Sequence, residues 1–197
     1  MSAAKSHRRT VKHYHEPGDL HELTFSCYRR LPLLTNDAWR CLLADAVDRA
    51  CAGRGFPLVA FVFMPEHVHL VVYPRSGVAD AKDVEALLGA VKRPYSYRVK
   101  QILIESESPL LAKLTVPDKR RGTVFRYWQK GPGYDRNLSG EAAVLSSIDY
   151  IHNNPVSRGL CPEATDWKWS SARWYTSDRR VVDEDLPKID GLPPEFF

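Results

Sequence analysis

Two histidines separated by one residue are the first candidates for chemistry in this chain. His67 and His69 begin an apolar run that extends over 70–73, and another apolar run covers 58–63. The residues at 64–66 include a proline and are typical of a tight turn, so the sequence predicts a hairpin of two buried strands. Residues i and i+2 of a strand face the same side, so both imidazoles could hold one metal ion. The alternative is a pair of histidines with ordinary hydrogen bonds.

A tyrosine on the polar side of a predicted helix is the second candidate. Apolar residues at helical spacing predict a helix over about 139–153; they are Val144, Leu145, Ile148 and Ile151. Tyr150 lies about 150° around the helix from the centre of that stripe, so it is either plain surface or faces a cleft. Asn154 is four residues on and shares the face of Tyr150. Pro155 is expected to end the helix there.

The remaining elements predict a fold that could bring these groups together. We expect a strand over 20–28, a helix over 36–52, the hairpin, a helix from about 80 to 103 that Pro94 kinks or restarts, a loop over 105–122, a strand over 123–129 and a connection over 130–140. This order matches an α+β fold of the ferredoxin-like split-βαβ type, with an antiparallel four-stranded sheet and helices on one face. The first and third strands would be central, and the last helix could cross the free face and carry Tyr150 to the histidines.

Length and composition indicate one main domain with extensions. The chain has 197 residues, 44% hydrophobic and 26% charged, and a net charge of +4, which permits a nucleic-acid partner. We divide it into a basic arm over 1–18, a main domain over 19–176 and a tail over 177–197. The absence of an apolar run of about eighteen residues predicts that no segment crosses a membrane. The four cysteines form no Cys-x-x-Cys pair, which favours a reduced, cytoplasmic protein.

Clusters of basic residues are candidates for contact with DNA phosphates, although each could equally be a solvated surface. They are Arg8, Arg9 and Lys12 in the arm, Arg93, Arg98 and Lys100 in the second helix, and Lys119, Arg120 and Arg121 in the long loop. Tyr95 and Tyr97 lie among the second group and are, like Tyr150, tyrosines that could have a chemical role.

Two motifs resemble those of a known family. Met64-Pro-Glu-His67-Val-His69-Leu resembles the His-hydrophobic-His motif of the single-tyrosine HUH transposases. The block from Asp149 to Leu160, Asp-Tyr-Ile-His-Asn-Asn-Pro-Val-Ser-Arg-Gly-Leu, and Trp169-Ser-Ser are similar to one branch, the REP-associated tyrosine transposases. The resemblance covers about 20–175. It implies a ferredoxin-like core that cleaves single-stranded DNA beside a hairpin, in a cytoplasmic, nucleoid-associated protein that is a monomer or a homodimer.

The resemblance also implies roles for individual residues. His67, His69 and Asn154 would bind Mg²⁺ or Mn²⁺, and Tyr150 would be the nucleophile that forms a 5′-phosphotyrosine. Glu66 departs from the commonest pattern, in which an asparagine precedes the first histidine, and it could add a carboxylate near the ion. Two alternatives remain open: a domesticated protein that binds hairpin DNA without cutting it, and an unrelated metal-dependent hydrolase.

Overall fold

The fold is built around a four-stranded antiparallel sheet in the order β2-β3-β1-β6. The computed structural model describes residues 20–75, 81–131 and 133–193. Its strands are β1 (Leu20–Ser26), β2 (Leu58–Phe63), β3 (His67–Val72), β4 (Thr115–Asp118), β5 (Gly122–Phe125) and β6 (Tyr134–Leu138). Its α-helices are α1 (Asp37–Arg54), α2 (Ala81–Glu105), α3 (Leu110–Leu114), α4 (Glu141–Ser157) and α5 (Ala172–Thr176), with single 3₁₀ turns at Tyr28–Arg30 and Ala164–Asp166.

The strand order confirms the predicted ferredoxin-like arrangement. The hairpin strands β2 and β3 are adjacent, and β1 and β3 occupy the middle of the sheet. All six residues of β2 and all six of β3 are buried, as their continuous apolar patterns predict. The strand that carries the two histidines is therefore supported on both edges by hydrogen-bonded neighbours.

The two faces of the sheet are covered by different helices. Leu23 and Phe25 of β1 pack in the same core cluster as the buried residues of α1 and α2. On the opposite face, Val62 and Val71 pack with Ile148 and Ile151 of α4. Alternate residues of a strand point to opposite faces, so β1 contributes Leu23 and Phe25 to one side and its polar neighbours to the other. The helix predicted over about 139–153, here α4, therefore packs on the sheet face that α1 and α2 leave free.

The ends of α1 follow the expected capping chemistry. The side chain of Asn36 accepts a hydrogen bond of 3.1 Å from the backbone N–H of Trp39. Gly55 ends the helix in the left-handed conformation, with φ of 70°, which glycine adopts without steric cost. Pro57 then leads directly into β2.

The predicted fourth strand is wrong in position. Of the segment 123–129, only the first residues are extended, and β5 pairs with β4 in a separate two-stranded ribbon. Tyr127 and Trp128 instead turn into the core. The fourth strand of the main sheet is β6, inside the segment predicted as a connection. Its largely polar sequence suits an edge strand with one buried residue, and this is why it lacks an apolar signal.

Three further expectations need correction. The segment 105–122, predicted as a loop, contains α3 and β4. The helix α2 is continuous through Pro94, so the restart is wrong and the kink stays a prediction, and α4 continues past Pro155 to Ser157. A proline in a helix removes one backbone hydrogen bond, and the packing of a buried proline such as Pro155 can offset that loss.

Some expectations fall outside the described residues or concern membranes. The basic arm, with Arg8, Arg9 and Lys12, precedes the first described residue, Leu20. The end of the tail, from residue 194 onward, also lies outside them. Within the described ranges, no helix combines the length and the apolar character that crossing a membrane would require.

Candidate metal and tyrosine site

The two histidines of β3 lie side by side on the sheet face that α4 covers. The ring centroids of His67 and His69 are 4.8 Å apart, with the ring planes at 80°. Both side chains are buried, at 6% and 5% exposure. The i, i+2 spacing on a strand produces this arrangement directly, and the central position of β3 makes it rigid.

The hydrogen bonds of His69 leave one ring nitrogen available. Its Nδ1 lies 2.8 Å from Oγ1 of Thr24 and 3.6 Å from Oε1 of Glu22. With Nδ1–H directed to these oxygens, Nε2 carries the lone pair. Nε2 is buried and has no hydrogen-bond partner among the described residues. Metal-binding histidines have this arrangement: oxygen acceptors hold one ring nitrogen, and the other is buried without a partner.

His67 is oriented in a similar way by a carboxylate. Its Nδ1 lies 3.2 Å from Oε1 of Glu66, which also accepts a hydrogen bond of 2.6 Å from Nη2 of Arg158. Burial, together with the neighbouring charge of His69, lowers the pKa of His67 to about 4. The imidazole is therefore neutral at neutral pH, which is the form that binds metals.

Glu66 contacts the Nδ1 side of His67 and is 8% exposed. Burial alone would raise the pKa of its carboxyl, but the hydrogen bonds and charges of Arg158 and His67 outweigh burial and lower that pKa. The carboxylate is thus ionised and engaged by two partners. Its proposed position beside an ion stays a prediction, and these contacts favour a role in orienting His67.

The helix α4 carries Tyr150 to the same place. The rings of Tyr150 and His69 have centroids 5.9 Å apart and planes at 89°, and the Tyr150 side chain is 56% exposed. Asn154, one turn further along and 8% exposed, lines the same cavity of about 350 Å³. The complete lining consists of Thr24, Arg30, His67, His69, Tyr150, Asn154, Ser157 and Arg158. The cleft reading of Tyr150 therefore fits the structure better than the plain-surface reading.

The donor atoms around this cavity fit a divalent cation with open positions. Two imidazole nitrogens and the amide oxygen of Asn154 could supply three ligands and leave room for a phosphate oxygen and water. Over the described ranges, no group of three or more His, Cys, Asp and Glu side chains is placed to hold a metal. Nitrogen ligands suit Mn²⁺ better than Mg²⁺, which prefers oxygen.

A buried carboxylate connects the histidine strand to the tyrosine helix. Glu22 of β1 is 4% exposed, and its Oε2 accepts hydrogen bonds from Oγ of Ser147, at 2.9 Å, and Nη2 of Arg136, at 2.6 Å. Burial would raise the pKa of Glu22, but the contacts with His69, Ser147 and Arg136 together lower it. The ionised carboxylate therefore joins β3, α4 and β6 at one point.

The competing tyrosines lie elsewhere. Tyr95 is 2% exposed and donates a hydrogen bond of 2.9 Å to the hydroxyl of Tyr127, and burial raises its pKa far above the ordinary value. Tyr97 is 68% exposed on α2. Because α2 covers the opposite sheet face, neither phenol reaches the cavity that contains His67 and His69.

The predicted DNA-contacting residues are not gathered at this cavity. Arg93 and Arg98 are exposed and Lys100 is half-buried, all on α2. The other described group lies at the exposed turn between β4 and β5; it consists of Lys119, Arg120 and Arg121. Their contacts with DNA stay predictions.

Sequence reasoning missed several residues that the cavity brings together. Arg30 and Arg158 line it, and Glu22, Thr24 and Ser147 support it. One signal was present in β1, where Glu22 and Thr24 alternate with buried apolar residues. Polar residues on the inward face of a strand that is expected to be central indicate a buried polar network.

These groups define a ferredoxin-like domain in which a helix brings a tyrosine against a strand-borne histidine pair. The chain shares its fold with a solved REP-associated tyrosine transposase bound to a REP hairpin, with a TM-score of 0.63, 20% identity and 90% of each chain covered. A second solved structure, a protein of Deinococcus radiodurans R1 provisionally designated a transposase, has a TM-score of 0.43 and 21% identity, over 76% of this chain and 97% of that one. No family model and no curated protein matches the chain.

Proposed function

We propose that this protein is a metal-dependent endonuclease and strand transferase that acts on single-stranded DNA at palindromic hairpins. The observation that carries the proposal is the convergence of His67, His69, Tyr150 and Asn154 on one cavity from two distant parts of the chain. The shared fold with a transposase bound to a REP hairpin supports the same class of substrate.

The three proposed ligands have separate structural supports. His69 is oriented by Thr24 and His67 by Glu66, so each imidazole would bind the ion through Nε2, and Asn154 would add its amide oxygen. Bound Mg²⁺ or Mn²⁺ would polarise the scissile phosphate and neutralise the charge that builds up on it during attack.

Tyr150 is the proposed nucleophile. Its phenol oxygen would form a bond to phosphorus while the bond from phosphorus to the 3′-oxygen breaks. The phenol loses its proton, the 3′-oxygen gains one, and the products are a 5′-phosphotyrosine and a free 3′-hydroxyl. The ester keeps the energy of the broken bond, so attack by a 3′-hydroxyl can rejoin the strand without an external energy source. The 56% exposure of Tyr150 leaves its ring accessible to a strand.

A covalent adduct is the decisive test. A 3′-labelled single-stranded oligonucleotide that carries a palindromic hairpin is incubated with protein and Mn²⁺, because a 5′-phosphotyrosine keeps the 3′ fragment on the protein. Denaturing electrophoresis then shows whether the label travels with the polypeptide. The Tyr150→Phe variant should bind the hairpin normally and form no adduct. Tyr97→Phe removes the hydroxyl of another exposed tyrosine, which lies outside the cavity, and should form the adduct as the unaltered protein does. An undiminished adduct from Tyr150→Phe would remove Tyr150 from the mechanism.

The same experiment separates the alternatives. Binding of the hairpin by the unaltered protein without any adduct, over a range of hairpins and with both ions, would indicate a domesticated binding protein. Cleavage that leaves no label on the protein and persists in Tyr150→Phe would indicate a hydrolase that uses water.

A further inference from the structure

Three strands of the sheet align a histidine, a threonine and an exposed tyrosine in one row. Thr24 of β1 is paired with His69 of β3 on one side and with Tyr134 of β6 on the other. Directly opposed residues of an antiparallel sheet point to the same face, and two strand spacings separate His69 from Tyr134 by roughly 10 Å. Tyr134 is 49% exposed, although it lies on the face that carries the candidate metal ligands.

The cavity at the histidines adjoins a second one. The second cavity, of about 240 Å³, shares Thr24 and Arg30 with the first and extends to Tyr134. Lys92 and Lys130 also line it. The two cavities together form a groove, here named the β1 groove, that runs from Tyr150 to Tyr134 and reaches the β6 edge of the sheet, where Lys92 of α2 lines it.

Arg30 lies where the two cavities meet, in an unusual backbone conformation. Its φ is 54° and that of Arg29 is 53°, both in the left-handed region that costs a residue with a side chain about 1–2 kcal/mol. The backbone N–H of Arg29 donates to Oε1 of Gln129 at 3.1 Å, and that of Arg30 donates to the carbonyl of Cys27 at 3.0 Å, and these bonds hold the turn. Strain of this kind is concentrated at functional sites.

The side chain of Arg30 is available to a ligand. It is exposed, and within the part of the chain that the structure describes its guanidinium forms no hydrogen bond or ion pair. A guanidinium offers paired N–H donors that match a phosphate group. A half-exposed phenol ring in the same groove offers a flat surface for a nucleobase.

We propose that the β1 groove is a subsite for the nucleotide next to the cleaved phosphate, with its base stacked on Tyr134 and a backbone phosphate held by Arg30. This inference rests on the proposed function and identifies which side chains receive the strand beyond the metal site. The ligand must be single-stranded there, because a paired base already stacks within a duplex and cannot lie on Tyr134. Stacking tolerates any base, so the subsite would hold the strand without reading its sequence.

The test combines protein variants with substrates that lack one base. Tyr134→Ala should weaken binding of the hairpin with its single-stranded flank, measured by fluorescence anisotropy, about tenfold or more, and slow adduct formation to a similar extent. Tyr134→Phe keeps the ring and should restore both. Removing the base at one flank position should have the same effect on the unaltered protein and no further effect on Tyr134→Ala, because both changes delete one contact. Tyr97→Ala, at an exposed tyrosine outside the groove, should leave both measurements unchanged.

The contribution of Arg30 has its own readout. Arg30→Gln should weaken flank binding and reduce the slope of log affinity against log salt by about 0.7, the value for one phosphate contact on a single strand. An unchanged slope would contradict the phosphate contact.

Failure of the inference and failure of the proposed function are distinguishable. If the unaltered protein forms the adduct and Tyr134→Ala neither slows it nor weakens binding, the subsite is wrong while the endonuclease proposal stands. If no adduct forms, the endonuclease proposal fails, and the anisotropy measurements still decide whether Tyr134 and Arg30 bind the strand.

Discussion

The bond between Ser147 and Glu22 allows a quantitative test of how α4 is held on the sheet. Ser147 is fully buried, and its hydroxyl lies 2.9 Å from Oε2 of a Glu22 that is 4% exposed. The adjacent Ser146 is exposed on the same helix. The two serines therefore provide a matched pair of Ser→Ala substitutions in which only one removes a buried hydrogen bond.

The expected magnitude follows from the charge of the acceptor. A hydrogen bond to an ionised group contributes about 1.5–3 kcal/mol to stability. Glu22 keeps its hydrogen bond from Arg136 when the Ser147 hydroxyl is removed. We therefore expect Ser147→Ala to lower the free energy of unfolding by about 2 kcal/mol relative to Ser146→Ala. The gain in helix propensity from serine to alanine is common to both variants and cancels.

Urea denaturation with linear extrapolation measures both variants. The slope of free energy against urea should not change, because neither substitution alters the surface exposed on unfolding. In a Glu22→Gln background the Ser147→Ala effect should shrink, since the bond then joins two neutral groups. Equal free energies of unfolding for the two serine variants would refute the conclusion that the Glu22 carboxylate anchors α4.

Three further predictions follow from single contacts. Burial lowers the pKa of Lys92 to about 8 from its ordinary 10.5, so the charged amine lowers the stability of the folded state below pH 8. Lys92→Met should therefore raise the free energy of unfolding by about 2 kcal/mol at pH 7. This increase should fade between pH 8 and 10.5, as the lysine of the folded protein becomes neutral. Gly133→Ala would place a Cβ 2.4 Å from the carbonyl oxygen of Thr24, whereas the Cβ of Gly131→Ala meets open space at a similar positive φ. Gly133→Ala should therefore lower the free energy of unfolding by about 2 kcal/mol more than Gly131→Ala. Thr24→Val removes the hydroxyl beside Nδ1 of His69 and should weaken Mn²⁺ binding, measured by calorimetry, about 10–100-fold.

Each of these predictions has a contradicting result. A Lys92→Met stability gain that is the same at pH 7 and pH 10 would show that desolvation of the charge is not its cause. Equal costs for Gly133→Ala and Gly131→Ala would mean that β6 moves away from β1 easily. Thr24→Ser keeps the hydroxyl and serves as the control; if it weakens Mn²⁺ binding as much as Thr24→Val, orientation of His69 through that hydroxyl is disproved.

The features that sequence patterns predicted well are those whose side chains are buried. The hairpin, the central histidine strand, α1 and most of the apolar stripe of α4 show regular burial that follows from their periodicity. Leu145 of that stripe is 43% exposed, so its predicted place in the core is wrong. The resemblance of two motifs to those of the REP-associated tyrosine transposases added the roles proposed for Tyr150 and Asn154, and the structure places both beside His69.

The features that were missed depend on long-range contacts. The strand β6 has a polar sequence and is extended because β1 offers it hydrogen bonds, so local propensity contains no sign of it. The β-branched and aromatic residues of 123–129 favour a strand, yet Tyr127 and Trp128 gain more by filling the core. The positions of Arg30 and Arg158 depend on a turn and on a helix end that reach the cavity from separate segments, which spacing along the sequence cannot indicate.

The histidine pair, Tyr150 and Asn154 all come from the same polypeptide and line one cavity. A site that is complete within one chain predicts that cleavage needs no residue from a second copy. Mixing an inactive His67 variant with an inactive Tyr150 variant should then restore no cleavage activity. Diluting the unaltered protein should leave its turnover per molecule unchanged.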